Sequence, residues 1–205
     1  MVSAQQFLQR YQSYGTMQQE LFHKGENMLN ILFNLCDTKS LASIYTDYND
    51  TDKFHFGKVL AVSEKEIAIQ MISPDGEEDG ITVMDVEKVI RVEINGQYSA
   101  KMGKLCSERT ISNYPIKFEN NNILKSVLSY AISNEQIVSL ELMDSGYNDI
   151  VGFAESVTDD EYCIHQIDEY GCEDGLSYIS INDVTMIRLL SQDEKRIMRL
   201  WQFNK

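Results

Sequence analysis

Apolar and polar positions along the chain follow one pattern twice, at a separation of 95 residues. Slid by that separation, Gly57 falls on Gly152, Val62 on Val157, Ile69 on Ile164, Ile72 on Ile167, Gly76 on Gly171 and Val89 on Val184. The triplet Glu78-Asp79-Gly80 falls on Glu173-Asp174-Gly175, and no gap is needed over 57–94 against 152–189. Such self-similarity means one supersecondary unit used twice, so it governs every element assignment that follows.

Each copy predicts the same elements. Residues 27–37 read as a helix with Met28, Leu29, Leu32, Phe33 and Cys36 on one face. Ile123, Leu124, Val127, Leu128 and Ala131 repeat that face, after a polar cap at Asn120-Asn121-Asn122 and before an end near Ser133-Asn134. Five strand-like runs follow: 41–46, 54–62, 66–72, 80–85 and 88–94 in the first copy, and 137–143, 150–157, 161–167, 175–180 and 183–190 in the second. Period-two alternation is plain in Ile67, Ile69, Met71 and in Val138-Ser139-Leu140-Glu141-Leu142. Polar turns at Ser63-Glu64-Lys65 and Thr158-Asp159-Asp160 separate the second and third runs, and glycine-bearing turns around Gly76 and Gly171 separate the third and fourth. Between the fourth and fifth runs the apolar residues step by three, at Val86, Val89, Val92 and at Ile181, Val184, Ile187, which suits one tight 3₁₀ turn. Met102 and Leu105, echoed by Ile197 and Leu200, close each copy with a short helix.

The units are therefore 27–106 and 121–205, joined by a linker over 107–120 that holds Pro115. Residues 1–26 predict a helical arm, capped at Ser3 and interrupted at Gly15, with Phe7, Leu8, Tyr11, Leu21 and Phe22 at helical spacing. The arm either packs on its own chain or reaches a partner subunit, since periodicity does not say which surface a helix covers.

A helix followed by five short strands, with a hairpin loop and a corner turn before the last strand, resembles the Sm-like or SH3-like small β-barrel. The resemblance covers both repeats and rests on the order of elements. It implies a mainly β protein with flanking helices, built of two tandem five-stranded Sm-like or SH3-like barrels, each preceded by an α-helix. In the Sm family an Asp near the second turn, a following Asn, and an Arg-Gly pair before the last strand build an RNA pocket. The matching positions here are Ser63-Glu64-Lys65 and Thr158-Asp159-Asp160, with Asp85-Val86 and Ser180-Ile181 at the corner, so neither copy carries those residues.

Charge narrows the partners. The 205-residue chain has a net charge of −14, and the repeats share it unevenly: 27–105 carries −5 and 122–200 carries −10. So acidic a chain disfavours nucleic acid, whose binding depends on Lys and Arg displacing counterions, and it is repelled by anionic membranes. A basic protein would meet the second repeat preferentially. With no apolar run of roughly 18 residues and no charged-then-apolar leader, the expected setting is cytoplasmic, with no membrane span. Cys36, Cys106, Cys163 and Cys172 form no C-x-x-C pair and are expected as free buried thiols.

No residue pattern singles out a catalytic group, a cofactor or a metal. The carboxylates of 75–79 and 168–174 resemble a hard-cation loop in composition, yet they lack the D-x-[DN]-x-[DN]-G run of an EF-hand. Charged hairpin tips that deter edge pairing account for them as well. His23, His55 and His165 are scattered, and His165 has only Cys163 at close spacing, short of the three or four ligands a metal requires. Candidate partner-binding residues are Asp75, Glu77, Glu78 and Asp79 in the first hairpin loop, and Asp168, Glu169, Glu173 and Asp174 in the second. Tyr48 and Tyr147 join them, each opening a Tyr-Asn-Asp triplet between the first two strands of its repeat. The expected function is a non-enzymatic protein-interaction or scaffold module that binds an unknown protein partner or assembles as a homo-oligomer. Two alternatives stand beside it: RNA binding through an Sm-like barrel, and sequestration of a basic protein by the acidic second repeat.

Overall fold

The computed structural model describes residues 27–107, 114–119 and 122–205. The arm proposed for 1–26 and half of the linker, 108–113 and 120, lie outside the described residues.

A helix, α1, covers 27–38. It is followed by β1 (Leu41–Tyr45), β2 (His55–Val62), β3 (Glu66–Ile72), β4 (Glu78–Asp85), a 3₁₀ turn (Val86–Lys88), β5 (Arg91–Ile94) and α2 (Gln97–Cys106). The second repeat runs α3 (Ile123–Ser133), β6 (Ile137–Leu142), β7 (Ile150–Val157), β8 (Glu161–Ile167), β9 (Glu173–Ser180), a 3₁₀ turn (Ile181–Asp183), β10 (Val184–Leu189) and α4 (Gln192–Asn204). From β2 onward the separation of 95 holds residue by residue. The irregularity between Val59 and Ala61 recurs between Ala154 and Ser156, and that between Gln70 and Ile72 recurs between His165 and Ile167. Bulges bend a strand and increase its twist, so their repetition gives both units the same curvature. Ahead of β2 the separation becomes 96: Leu41 lies opposite Lys58, and Ile137 lies opposite Phe153. The loops 46–54 and 143–149 differ in length and absorb the change.

All pairings are antiparallel, and the ten strands form one sheet in the order β5-β1-β2-β3-β4-β10-β6-β7-β8-β9. The expectation of two tandem barrels is thereby corrected to two five-stranded halves of one open sheet. The halves join because β4 of the first repeat pairs with β10 of the second, with Met84 opposite Met186, Val83 opposite Ile187, Thr82 opposite Arg188 and Ile81 opposite Leu189.

The largest apolar cluster lies across that seam. Ala68, Ile81 and Val83 from the first repeat pack with Ile123, Leu124, Val127, Leu128, Ile164, Ile187 and Leu189 from the second. Helix α3 lies over β3 and β4 as well as over β6, β7 and β10. A second cluster under α1 joins Leu32, Leu35, Ile44, Val59, Ile67 and Ile69, and also takes in Met186 across the seam. A small five-stranded unit buries little apolar surface alone; sharing a core between two raises the buried fraction.

Candidate functional site

Of the eight candidate carboxylates, Asp75, Glu77, Asp168 and Glu169 lie in the hairpin loops, whereas Glu78 and Asp79 open β4 and Glu173 and Asp174 open β9, outside the loops where the sequence placed them. Each loop turns through a glycine of positive φ, Gly76 and Gly171, and each following strand carries another, Gly80 and Gly175, at its irregularity. A Cβ on Gly76 would stand 2.7 Å from the Leu105 Cβ of α2, and one on Gly171 would stand 2.4 Å from the Trp201 amide of α4. Each loop therefore lies against the closing helix of its own repeat. In the second, Asn204 donates from Nδ2 to the Tyr170 and Gly171 carbonyls, each at 3.0 Å.

Among the named carboxylates, Asp79 already has a partner, since it accepts from the Gln192 amide at 2.9 Å, at the start of α4. Glu78 is half-buried beside it, and its carbonyl accepts from Gln192 Nε2 at 3.5 Å. Asp168 folds its own loop, accepting from the Tyr170 and Cys172 amides at 3.0 and 2.7 Å. Asp75, Glu77, Glu169, Glu173 and Asp174 are exposed. Glu173 lies 3.8 Å from Nε2 of His165.

The two Tyr-Asn-Asp triplets are not structural equivalents. Tyr48 and Tyr147 are both exposed. Asp50 of the first triplet receives the Asp52 amide at 3.2 Å, whereas Asp149 of the second receives the Leu142 amide at 2.7 Å and the Ser145 hydroxyl at 2.5 Å. The turn preference of Asn and Asp accounts for a triplet in each loop, and both tyrosines stand free of the core.

Cys36, Cys106, Cys163 and Cys172 are all free thiols; only Cys106 and Cys163 are buried, whereas Cys36 is half-buried and Cys172 exposed. His55 is half-buried, and burial first, then the charges of Arg188, Lys53 and Lys88, push its pKa down to about 4, so its ring is neutral at pH 7. Among the described residues no group of three or more His, Cys, Asp or Glu is placed to hold a metal. A pocket of about 180 Å³ opens beside β6 and α4, lined by Ile137, Leu190, Glu194 and Met198 among others.

The two outer edges of the sheet, β9 and β5, hold the residues that sequence reasoning missed. Leu176 and Tyr178 on β9 are 55% and 66% exposed, whereas Ile81 and Val83 at the same positions of β4 are 1% and 0% exposed. Ile94 on β5 is 50% exposed, whereas its counterpart Leu189 on β10 is fully buried. The residue types alternate as in any half-buried strand, so only the strand order reveals which copy of each strand lacks a neighbour among the described residues.

Compared with known proteins, the chain matches no family model, no curated protein and no solved structure.

Proposed function

We propose that the protein is a non-enzymatic interaction module that binds a protein strand along the edge of its sheet. The observation that supports this reading is β9, where Leu176 and Tyr178 stand exposed at positions that β10 covers in the first repeat. An open edge offers a row of amides and carbonyls to an incoming strand, and alternate side chains supply pockets and specificity. Natural edges are commonly blunted by charge or proline. This one carries charge at one end only, at Glu173 and Asp174, and holds no proline.

The sequestration of a basic protein is a second reading, favoured by the exposed carboxylates of Glu169, Glu173 and Asp174 beside the same edge. The Sm-like resemblance of each five-stranded half remains part of the proposal as architecture; no observation at the corner turns favours RNA.

Affinity capture at low salt distinguishes these readings, using the unmodified chain, Leu176→Lys with Tyr178→Lys, and a variant with Asp168, Glu169, Glu173 and Asp174 neutralised. Loss of a captured protein with the first variant supports the edge. Loss with the second alone supports charge sequestration. Nuclease-sensitive RNA in the eluate, held by all three proteins, would overturn both.

A further inference from the structure

The seam between the repeats describes how this sheet edge is covered, and among the described residues a second pair of the same edges has no neighbouring strand. β4 and β9 are the same strand of the repeat, and so are β10 and β5. β4 and β10 pair with each other; β9 and β5 terminate the sheet at opposite ends. Building on the edge-binding reading above, we propose that the strand taken up by β9 is β5 of a second copy, so that the protein associates head to tail through a repetition of its own seam.

Four observations carry this. First, the register transfers directly. Ile81 opposite Leu189, Thr82 opposite Arg188, Val83 opposite Ile187 and Met84 opposite Met186 become Leu176 opposite Ile94, Ser177 opposite Glu93, Tyr178 opposite Val92 and Ile179 opposite Arg91. The exposed apolar residues of the two edges thereby meet one another.

Second, the close approach at the seam is prepared at the open edge. A Cβ on Gly80 would stand 2.3 Å from the Leu189 carbonyl oxygen and 2.4 Å from the Ser191 amide. Gly175 has the same backbone at φ +86°, and a Cβ there would meet nothing within 4 Å. The equivalent neighbours are Ile94 and Gly96 of another copy.

Third, the polar tie has both of its members. Asp79 takes the amide of Gln192 at the start of α4. Asp174 and Gln97, at the start of α2, stand at the equivalent positions and are exposed.

Fourth, the helix that covers the seam has an uncovered counterpart. Val127 of α3 is fully buried in the seam cluster, and its equivalent on α1, Ile31, is 38% exposed. α1 of the incoming copy would lie over β8 and β9 as α3 lies over β3 and β4.

One tie is not reproduced. Lys88 bonds the Thr185 carbonyl and pairs with Asp144 across the seam, and Asp183 replaces it in the second repeat. Two chains of charge −14 also repel. The contact between copies is therefore weaker than the internal seam and strengthens with salt, which screens that repulsion. A head-to-tail contact of this type forms closed rings when its rotation closes, and filaments when it does not.

Sedimentation velocity on the full chain, over a wide concentration range at low and high salt, tests the proposal. Species larger than a monomer are expected, growing with concentration and with salt. Gly175→Ala and Leu176→Lys with Tyr178→Lys block β9; Ile94→Lys blocks β5. Each is expected to be monomeric alone, and mixing a β9-blocked with a β5-blocked protein is expected to give a one-to-one dimer that grows no further. The register is read separately by Ser177→Cys with Glu93→Cys, which should yield a 177–93 linked peptide on mild oxidation because directly opposed strand residues meet disulfide geometry. Leu176→Cys with Glu93→Cys should not.

A monomer under all conditions overturns the proposal. So does a blocked variant that still dimerises alone, because that contact would join like edges. If the unmodified chain stays monomeric yet loses a captured lysate protein on blocking β9, self-association fails and the edge-binding reading stands. If blocking β9 changes neither, both fail.

Discussion

Glu66 of β3 accepts the amide of Ile123 at 2.6 Å and that of Leu124 at 3.3 Å, so a carboxylate of the first repeat caps the helix that opens the second. The first amides of a helix have no intrahelical partner, and a carboxylate there meets both those donors and the positive end of the helix dipole. Glu66→Ala is expected to destabilise the protein by about 1–2 kcal/mol, the usual scale for losing a helix cap. Urea denaturation should show a lower midpoint with an unchanged slope. An unchanged midpoint would mean that the apolar seam alone seats α3.

Gly80 and Gly175 share a backbone but not a neighbourhood. At Gly175 an alanine incurs only the left-handed strain, about 1–2 kcal/mol. At Gly80 it incurs that strain and also meets the Leu189 and Ser191 backbone. Gly80→Ala should therefore lower the melting temperature clearly more than Gly175→Ala in dilute protein. Equal losses would show that β10 yields at the seam.

Glu194 of α4 is 2% exposed, accepts the Ser139 hydroxyl at 2.6 Å, and returns to the Ser191 amide at 2.7 Å in a capping box. Glu194→Ala leaves Ser139 and Ser191 without that acceptor and is expected to cost about 2–3 kcal/mol, since bonds to a charged group are the stronger ones. The single tryptophan, Trp201, sits 4.7 Å from the Phe153 ring in the same helix contact. Its fluorescence should report loosening of α4 in this variant before global unfolding. A fluorescence change coincident with unfolding would make α4 part of the same cooperative unit.

The Tyr162 hydroxyl is buried with no hydrogen-bond partner among the described residues. Burial, followed by the Glu66 charge, pushes its pKa up and keeps it neutral. An unsatisfied buried hydroxyl opposes folding, so Tyr162→Phe is expected to be neutral or stabilising by up to about 1 kcal/mol. Thermal unfolding checks this; a lower melting temperature would mean that the hydroxyl has a partner in solution.

His55 sets an acid limit. Its folded pKa of about 4 lies below the ordinary 6.5, so the unfolded chain takes up its proton first as pH falls. Its full contribution is present above pH 6.5 and is lost between 6.5 and 4, amounting to about 1–3 kcal/mol for a shift of that size. Glu66 and Asp85, whose pKa values burial raises, work with the opposite sign. Comparing the unmodified chain with His55→Gln isolates the histidine: the variant should show a shallower fall in stability over that window. Parallel curves would show that His55 is protonated in the folded protein.

The sequence by itself determined the repeat, and with it nearly every local element. Strand order, the 3₁₀ corners at Val86–Lys88 and Ile181–Asp183, and the closing helices follow from short-range periodicity and turn residues, which act within a few positions of chain, although β4 and β9 begin two residues earlier than expected and β5 three later. The sequence also placed the acidic loops. It did not show that Asp79 is occupied by α4 or that Asp168 is spent on its own turn, because both depend on which backbone amides lie nearby. Tertiary structure alone decided that β4 takes β10, turning two expected barrels into halves of one sheet. That pairing is non-local, and the same residue types serve at a covered and at an open edge. Ile81 and Leu176 occupy the same place in the repeat; one is buried and the other exposed because β10 lies beside β4 and α3 lies over it.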